Sequence, residues 1–209
     1  MSLVEVSVPS PAQLRGGWAA MAAVCVSRGW TDSVWAKGQA WFFHDGGGNW
    51  ATLRFVGDGR AVLIGHDHEY TETYFRDAAK YLQEPETDLL AGAPAWWSHY
   101  LDPLPLGEWI GFVYGWDGQR WQRAAYEACD GFDQVGLLDC CSMSNVDQLR
   151  EHVQEAPGLN GVPPTDDDLQ TLVNADAVLT EDQLAKVVPG WDTAAGVKAG
   201  REFLNASLH

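Results

Sequence analysis

The chain has 209 residues, 46% hydrophobic and 11% aromatic, enough to bury one large domain, or one domain with a small appendage. That apolar content excludes wholesale disorder, which requires low hydrophobicity beside high charge. The net charge of −16, from 29 acidic against 13 basic residues, argues against nucleic acid and anionic membrane as partners and favours a basic protein.

No run approaches about 18 apolar residues, so no membrane span is expected. Residues 18–26 are apolar but lack the charged start and small-residue cleavage site of a signal peptide. Cys25, Cys129, Cys140 and Cys141 show no C-x-x-C spacing, and a vicinal pair is poor material for a disulfide framework. A reduced, cytoplasmic setting follows as the expectation.

In chain order, residues 11–29 read as an amphipathic helix covering one face of a sheet. Leu14, Trp18, Met21, Ala22 and Cys25 form its stripe, with Pro11 at the start and Gly29 at the end. Gly16-Gly17 weakens it, since an interior glycine costs about 1 kcal/mol. Gln39–His44 reads as a strand, followed by the turn Asp45-Gly46-Gly47-Gly48-Asn49. Trp50–Val56 alternates, with Trp50, Thr52, Arg54 and Val56 assigned to one side and Ala51, Leu53 and Phe55 to the other. Gly57-Asp58-Gly59 then turns into the apolar strand Ala61–Ile64, giving a meander.

Tyr70–Leu82 is expected to be a helix capped by Thr71 or Thr73 and stopped by Pro85. Residues 85–107, with four prolines, read as an ordered connector carrying a short helix at Trp96–Leu101. Glu108–Tyr114 and Gln119–Tyr126 flank Gly115-Trp116-Asp117-Gly118 as a hairpin, and Val135–Leu138 is expected to add an edge strand. Beyond Cys141, helix-start signals recur at Ser144-x-x-Asp147, Thr165-x-x-Asp168 and Thr180-x-x-Gln183, with a last helix from near Asp192 to Leu204. The fold class is therefore α+β: an antiparallel sheet of five or six strands packed against helices. Residues 1–141 are expected to form the sheet domain, and 142–209 an acidic helical segment that either packs on it or forms a small bundle. By sequence the charge divides as −6 over residues 1–121 and −10 over 122–209.

The densest group of chemically useful side chains is His66-Asp67-His68-Glu69, between a strand and a helix. If the chain stays extended there, His66 and His68 share a face, and an H-x-H pair with a carboxylate can hold a divalent metal. A metal-activated water would then make the protein a hydrolase. Zinc needs three or four protein ligands; His44 and His99 are possible further donors, which only folding could bring near. The alternative makes Asp67 a turn residue and the histidines polar surface groups.

Other motifs are weaker. The triple glycine precedes a strand, where a phosphate-binding loop would open a helix. Cys140-Cys141 sits among acidic residues, which disfavours a thiolate nucleophile. Asp166-Asp167-Asp168 lacks the calcium-loop pattern and suits a helix start. Ten of the eleven tryptophans lie between Trp18 and Trp121. Most are core, but Trp50, Arg54, Trp116 and Trp121 are nominated as a decorated interaction surface.

In general character, a small acidic tryptophan-rich α+β chain without a catalytic signature, the sequence is similar to bacterial immunity proteins that neutralise toxin enzymes. The leading expectation is a non-enzymatic protein without cofactor that binds a basic protein. Its rival is a metal-dependent hydrolase or small-ligand site at His66, Asp67, His68 and Glu69. Assembly into a homo-oligomer through the acidic helices is a third.

Overall fold

A computed structural model describes residues 2–99, 101, 108–141 and 146–206. The elements follow in chain order. Strand β1 is Leu3–Val6 and helix α1 is Pro11–Arg28. Strands β2 (Val34–Lys37), β3 (Ala40–His44), β4 (Trp50–Gly57) and β5 (Arg60–His66) come next. Helix α2 (Asp77–Leu82) and a 3-10 turn at Ala95–Ser98 precede strands β6 (Phe112–Trp116) and β7 (Trp121–Ala124). The remainder is helical: α3 (Leu137–Cys141), α4 (Asp147–Val153), a 3-10 turn at Pro157–Leu159, α5 (Asp166–Asn174), α6 (Glu181–Val187) and α7 (Thr193–Ala206). The class is α+β, with every strand pairing antiparallel and seven strands where five or six were expected. The strands that escaped prediction are β1 and β2, each four residues long and too short to show a period.

The chain divides into two compact units. The first comprises residues 1–10 and 45–136, and its strands lie in the order β1-β7-β6-β5-β4. Trp50 opposes His66 and Leu53 opposes Leu63 across β4–β5, while Ile64 opposes Val113 across β5–β6. The Asp45–Asn49 turn is made by one carboxylate: Asp45 Oδ1 accepts the amides of Gly47 at 2.6 Å and Asn49 at 3.1 Å. In the β6–β7 turn, Asp117 does the same for Gln119 and Arg120, at 2.9 and 3.0 Å. Trp97 lies flat on Gly115, where any side chain would collide with the indole.

The second unit comprises residues 11–44 and 137–208. Helix α1 is its centre. Every residue from Gly16 to Cys25 is buried, so the single stripe expected for this helix is replaced by burial all round. Small residues make that possible. A Cβ on Gly196 of α7 would lie 2.5 Å from the Ala23 carbonyl, and one on Gly200 would lie 3.0 Å from the Ala19 carbonyl. The same shortage of side chains that weakens α1 as an isolated helix lets its neighbours touch its backbone. Trp18, Trp41 and Phe203 close the core, with ring centroids 5.3 to 6.4 Å apart, and the Trp18 indole donates to the Phe42 carbonyl at 3.0 Å. Phe203 comes from α7, so the C-terminal helix supplies part of the aromatic core. Arg15 forks onto Asp176, at 2.8 and 2.5 Å.

Three expected elements differ. Tyr70–Leu82 is helical only from Asp77, because the hydroxyls of Thr71 and Thr73 bond to the carbonyls of Asp130 and Gly111, and Arg76 adopts a φ of 55°. Val135–Leu138 adds no strand: Gly136 turns at a φ of 76°, and Leu137 and Cys141, four apart, bury one face of α3. Ala95–Ser98 is a 3-10 turn ending short of Leu101. The helix starts at Thr165 and Thr180 form as read, the second as a full capping box, while Asp192 caps α7 by accepting the Ala195 amide at 3.0 Å. Ser144 lies outside the described residues.

Candidate functional site

Strand β5 runs through His66 and stops there, and the chain turns at once. The turn is built by Asp67. Its Oδ1 accepts the amides of Glu69 at 3.0 Å and Tyr70 at 2.7 Å, while its own amide donates to Thr71 Oγ1 at 3.1 Å. Thr71 Oγ1 in turn donates to the Asp130 carbonyl at 3.2 Å. Two glycines permit this approach: a Cβ on Gly131 would lie 2.5 Å from Thr71 Oγ1 and 2.8 Å from Asp67 Cβ, and one on Gly111 would lie 2.6 Å from the Thr71 methyl. Asp67 and Thr71 thus serve as the joint between the end of β5 and the loop after β7.

The two histidines part company. His66 is 4% exposed, its ring 4.2 Å from that of Trp109, and its Nδ1 has no hydrogen-bond partner. Burial holds its pKa down at about 4, with Asp67 opposing that shift and His68 adding to it, so the ring is neutral at physiological pH. His68 is exposed; its amide and its Nδ1 both meet Asn49 Oδ1 at 2.9 Å. Glu69 is exposed, 3.7 Å from His68 Nε2. Among the described residues no group of three or more His, Cys, Asp or Glu side chains is arranged to hold a metal ion. The four residues are adjacent in sequence, yet Asp67 serves backbone amides, His66 packs on Trp109, and His68 meets Asn49 and Glu69.

A second polar centre lies at Asp130, which sequence reasoning passed over. Its Oδ2 accepts the hydroxyls of Tyr114 at 2.8 Å and Tyr126 at 2.7 Å, and its Oδ1 accepts the Phe132 amide at 3.2 Å. Burial first, then the Asp130 carboxylate, pushes both phenols well above their ordinary pKa, so they remain donors. Arg123 stacks over Tyr126 at 4.1 Å and donates to the carbonyls of Ala124 and Tyr126. Tyr114, Arg123, Asp130 and Phe132 line a cleft of about 400 Å³ with Val6, Cys129 and Asp133. Asp130, Tyr114, Tyr126 and Arg123 are satisfied by one another and by backbone groups, which makes them a brace between β6, β7 and the following loop.

Of the four residues nominated as an interaction surface, two are buried and two half-buried. Trp121 is 1% exposed, its indole donating to the Pro9 carbonyl at 2.9 Å; Trp50 is 7% exposed. Trp116 is half-buried with its ring 5.5 Å from Trp121, and Arg54 is half-buried. Trp50 to Leu53 are buried whichever face they occupy, so alternation in β4 marks no outer surface.

In this unit the exposed large apolar groups lie elsewhere. Tyr70, Tyr81 and Leu82 are 54%, 65% and 37% exposed, on a stretch where Glu69, Glu72, Asp77, Glu84, Glu86 and Asp88 are also exposed. Only Arg76 and Lys80 offset these six carboxylates, and Lys80 pairs with Asp77 at 3.0 Å. The signal for this surface was present in the sequence, but it was masked by reading Tyr70–Leu82 as one amphipathic helix. No protein-family model, curated protein or solved structure matches the chain.

Proposed function

We propose that the chain is a non-enzymatic protein that binds a basic protein partner through exposed acidic and aromatic surface, in the character of an immunity protein. One observation carries the reading. Residues 69–88 present two exposed tyrosines and a leucine among six exposed carboxylates. Tyrosine is a favoured interface anchor, and a rim of one charge sign steers an oppositely charged partner. The hydrolase reading needs His66, Asp67 and His68 to converge, whereas Asp67 is engaged by backbone amides and His66 by Trp109. No helix among the described residues is long and apolar enough to cross a membrane. All four cysteines are free thiols, which supports a reducing, cytoplasmic setting.

The test is calorimetric titration of the chain with an oligo-lysine peptide at low and at moderate salt. The reading expects binding that weakens steeply with salt and that falls in Tyr81→Ala/Glu84→Gln/Glu86→Gln. Salt-insensitive binding, or none, contradicts it.

A further inference from the structure

A second surface is assembled in the other unit, where the C-terminal end of α1 meets the segments around Glu155 and Trp191. Helix α1 stops at Gly29, whose φ of 97° is one that residues bearing a Cβ rarely adopt. The Gly29 amide returns to the Val26 carbonyl and the Trp30 amide to the Cys25 carbonyl, each at 2.9 Å, the paired bonds of a Schellman motif. That geometry fixes the position of Trp30 and leaves it 42% exposed, while the ten other tryptophans are buried or half-buried.

The guanidinium of Arg28 lies 3.9 Å from the Trp30 ring and 5.6 Å from the Trp191 ring, and it contacts the Glu155 carboxylate. The His152 ring meets Trp30 edge-on at 6.1 Å. Trp191 is held there because the next residue, Asp192, donates its amide to the Ser27 carbonyl at 3.1 Å. Asp32, Glu151, Glu155 and Asp192 are all exposed on these same segments. Glu155 offsets Arg28, which leaves Asp32, Glu151 and Asp192 exposed on the segments that carry Trp30, His152 and Trp191.

We infer that this surface docks an arginine-bearing segment of a basic protein. The chain displays the relevant chemistry in its own Arg28, a guanidinium on an indole with a carboxylate on its donors. An incoming arginine would find the exposed part of Trp30 for its planar group and Asp32 or Asp192 for its N–H donors. An anionic segment would meet net negative charge, and a purely apolar one would leave those carboxylates desolvated. The inference rests on the reading of the chain as a binder of basic proteins and adds a second place where the partner is held.

The experiment uses the full chain, titrated by calorimetry with oligo-arginine and with oligo-lysine of equal length. Trp30→Ala and Trp30→Leu are compared with wild type, and with the Tyr81→Ala/Glu84→Gln/Glu86→Gln variant. Unchanged thermal melts establish that each variant is folded, as expected at an exposed position. The expected result is tighter binding of oligo-arginine than of oligo-lysine, weakened on the order of tenfold by either Trp30 substitution. If both peptides bind but Trp30→Ala and Trp30→Leu stay within about twofold of wild type, this surface is not the docking place, and the broader reading stands on residues 69–88. Wild-type affinity in Trp30→Leu alone overturns the cation-on-indole contact. If neither peptide binds, the inference and the broader reading both fall.

Discussion

The two units are held together by different means, and glycine shows the contrast best. In the second unit, Gly196 and Gly200 sit on a helix so that its backbone can touch that of α1, and the surfaces brought together are apolar. In the first unit, Gly111 and Gly131 lie beside loops so that Thr71 and Asp67 can bridge two chain segments by hydrogen bonds. The first unit therefore spends its conspicuous polar residues on its own architecture, while the second spends small residues on close packing. Charge follows neither pattern. The first unit holds 16 acidic and 6 basic residues and the second 13 and 7, so the larger excess belongs to the sheet unit, although the sequence halves suggested the reverse. The His66-Asp67-His68-Glu69 cluster, dense in sequence, has Asp67 committed to a turn and His66 to burial.

The largest expected effect probes the apolar side of the contrast. Phe203→Ala removes a fully buried ring from between Trp18 and Trp41 and should cost about 3–5 kcal/mol in urea unfolding. A loss below about 1 kcal/mol would mean that α7 is not integral to that unit's core.

Next comes the pH response of the sheet unit. His66 has a pKa near 4 when folded, against an ordinary value of 6.5. The unfolded chain therefore takes up this proton first as pH falls. The histidine's contribution is whole above 6.5 and drains between 6.5 and 4, a total on the order of 3 kcal/mol. Urea unfolding of wild type and His66→Phe across that window should show a slope that the variant lacks. Equal slopes would contradict the burial of a neutral ring.

A smaller loss is expected from Asp67→Ala, which strips the acceptor from the Glu69 and Tyr70 amides and should cost about 1–2 kcal/mol. Asp67→Asn, which keeps an acceptor oxygen, should cost less. If the two were equally damaging, the negative charge itself would matter, and the turn reading would lose its basis.

The mildest probe alters no residue. Cys129 is exposed, whereas burial pushes the Cys25 thiol up to about 12 and Cys141 well above its ordinary value. A thiol reagent should label Cys129 quickly and leave Cys25 and Cys141 unreacted until the chain unfolds. Rapid labelling of Cys25 would show that α1 is less enclosed than described.

Much of the fold was legible in the sequence because short-range chemistry decides it. The Asp45 and Asp117 turns, the capping box at Thr180, the cap at Asp192 and the ends of α1 all rest on contacts within about six residues. What escaped was decided at long range. The helix expected from Tyr70 begins only at Asp77, because Thr71 and Thr73 are claimed by residues 111 and 130. Strands β1 and β2 form by pairing, with too few residues to announce themselves. At the candidate site, the turn role of Asp67 was legible from its position after a strand. The burial of His66 against Trp109 was not, nor was the exposure of Trp30, since tryptophan is more often core. The eleven indoles look alike in sequence, and only the Schellman turn at Gly29 sets one of them apart.

We propose that His66-Asp67-His68-Glu69 is a structural turn and that function lies in exposed acidic and aromatic surface. The most direct test is elemental analysis of the chain purified without chelator, followed by thermal melting with added zinc. The expected result is no stoichiometric metal and no zinc-induced rise in melting temperature. One tightly held metal per chain, lost in His66→Ala and in His68→Ala, would contradict it.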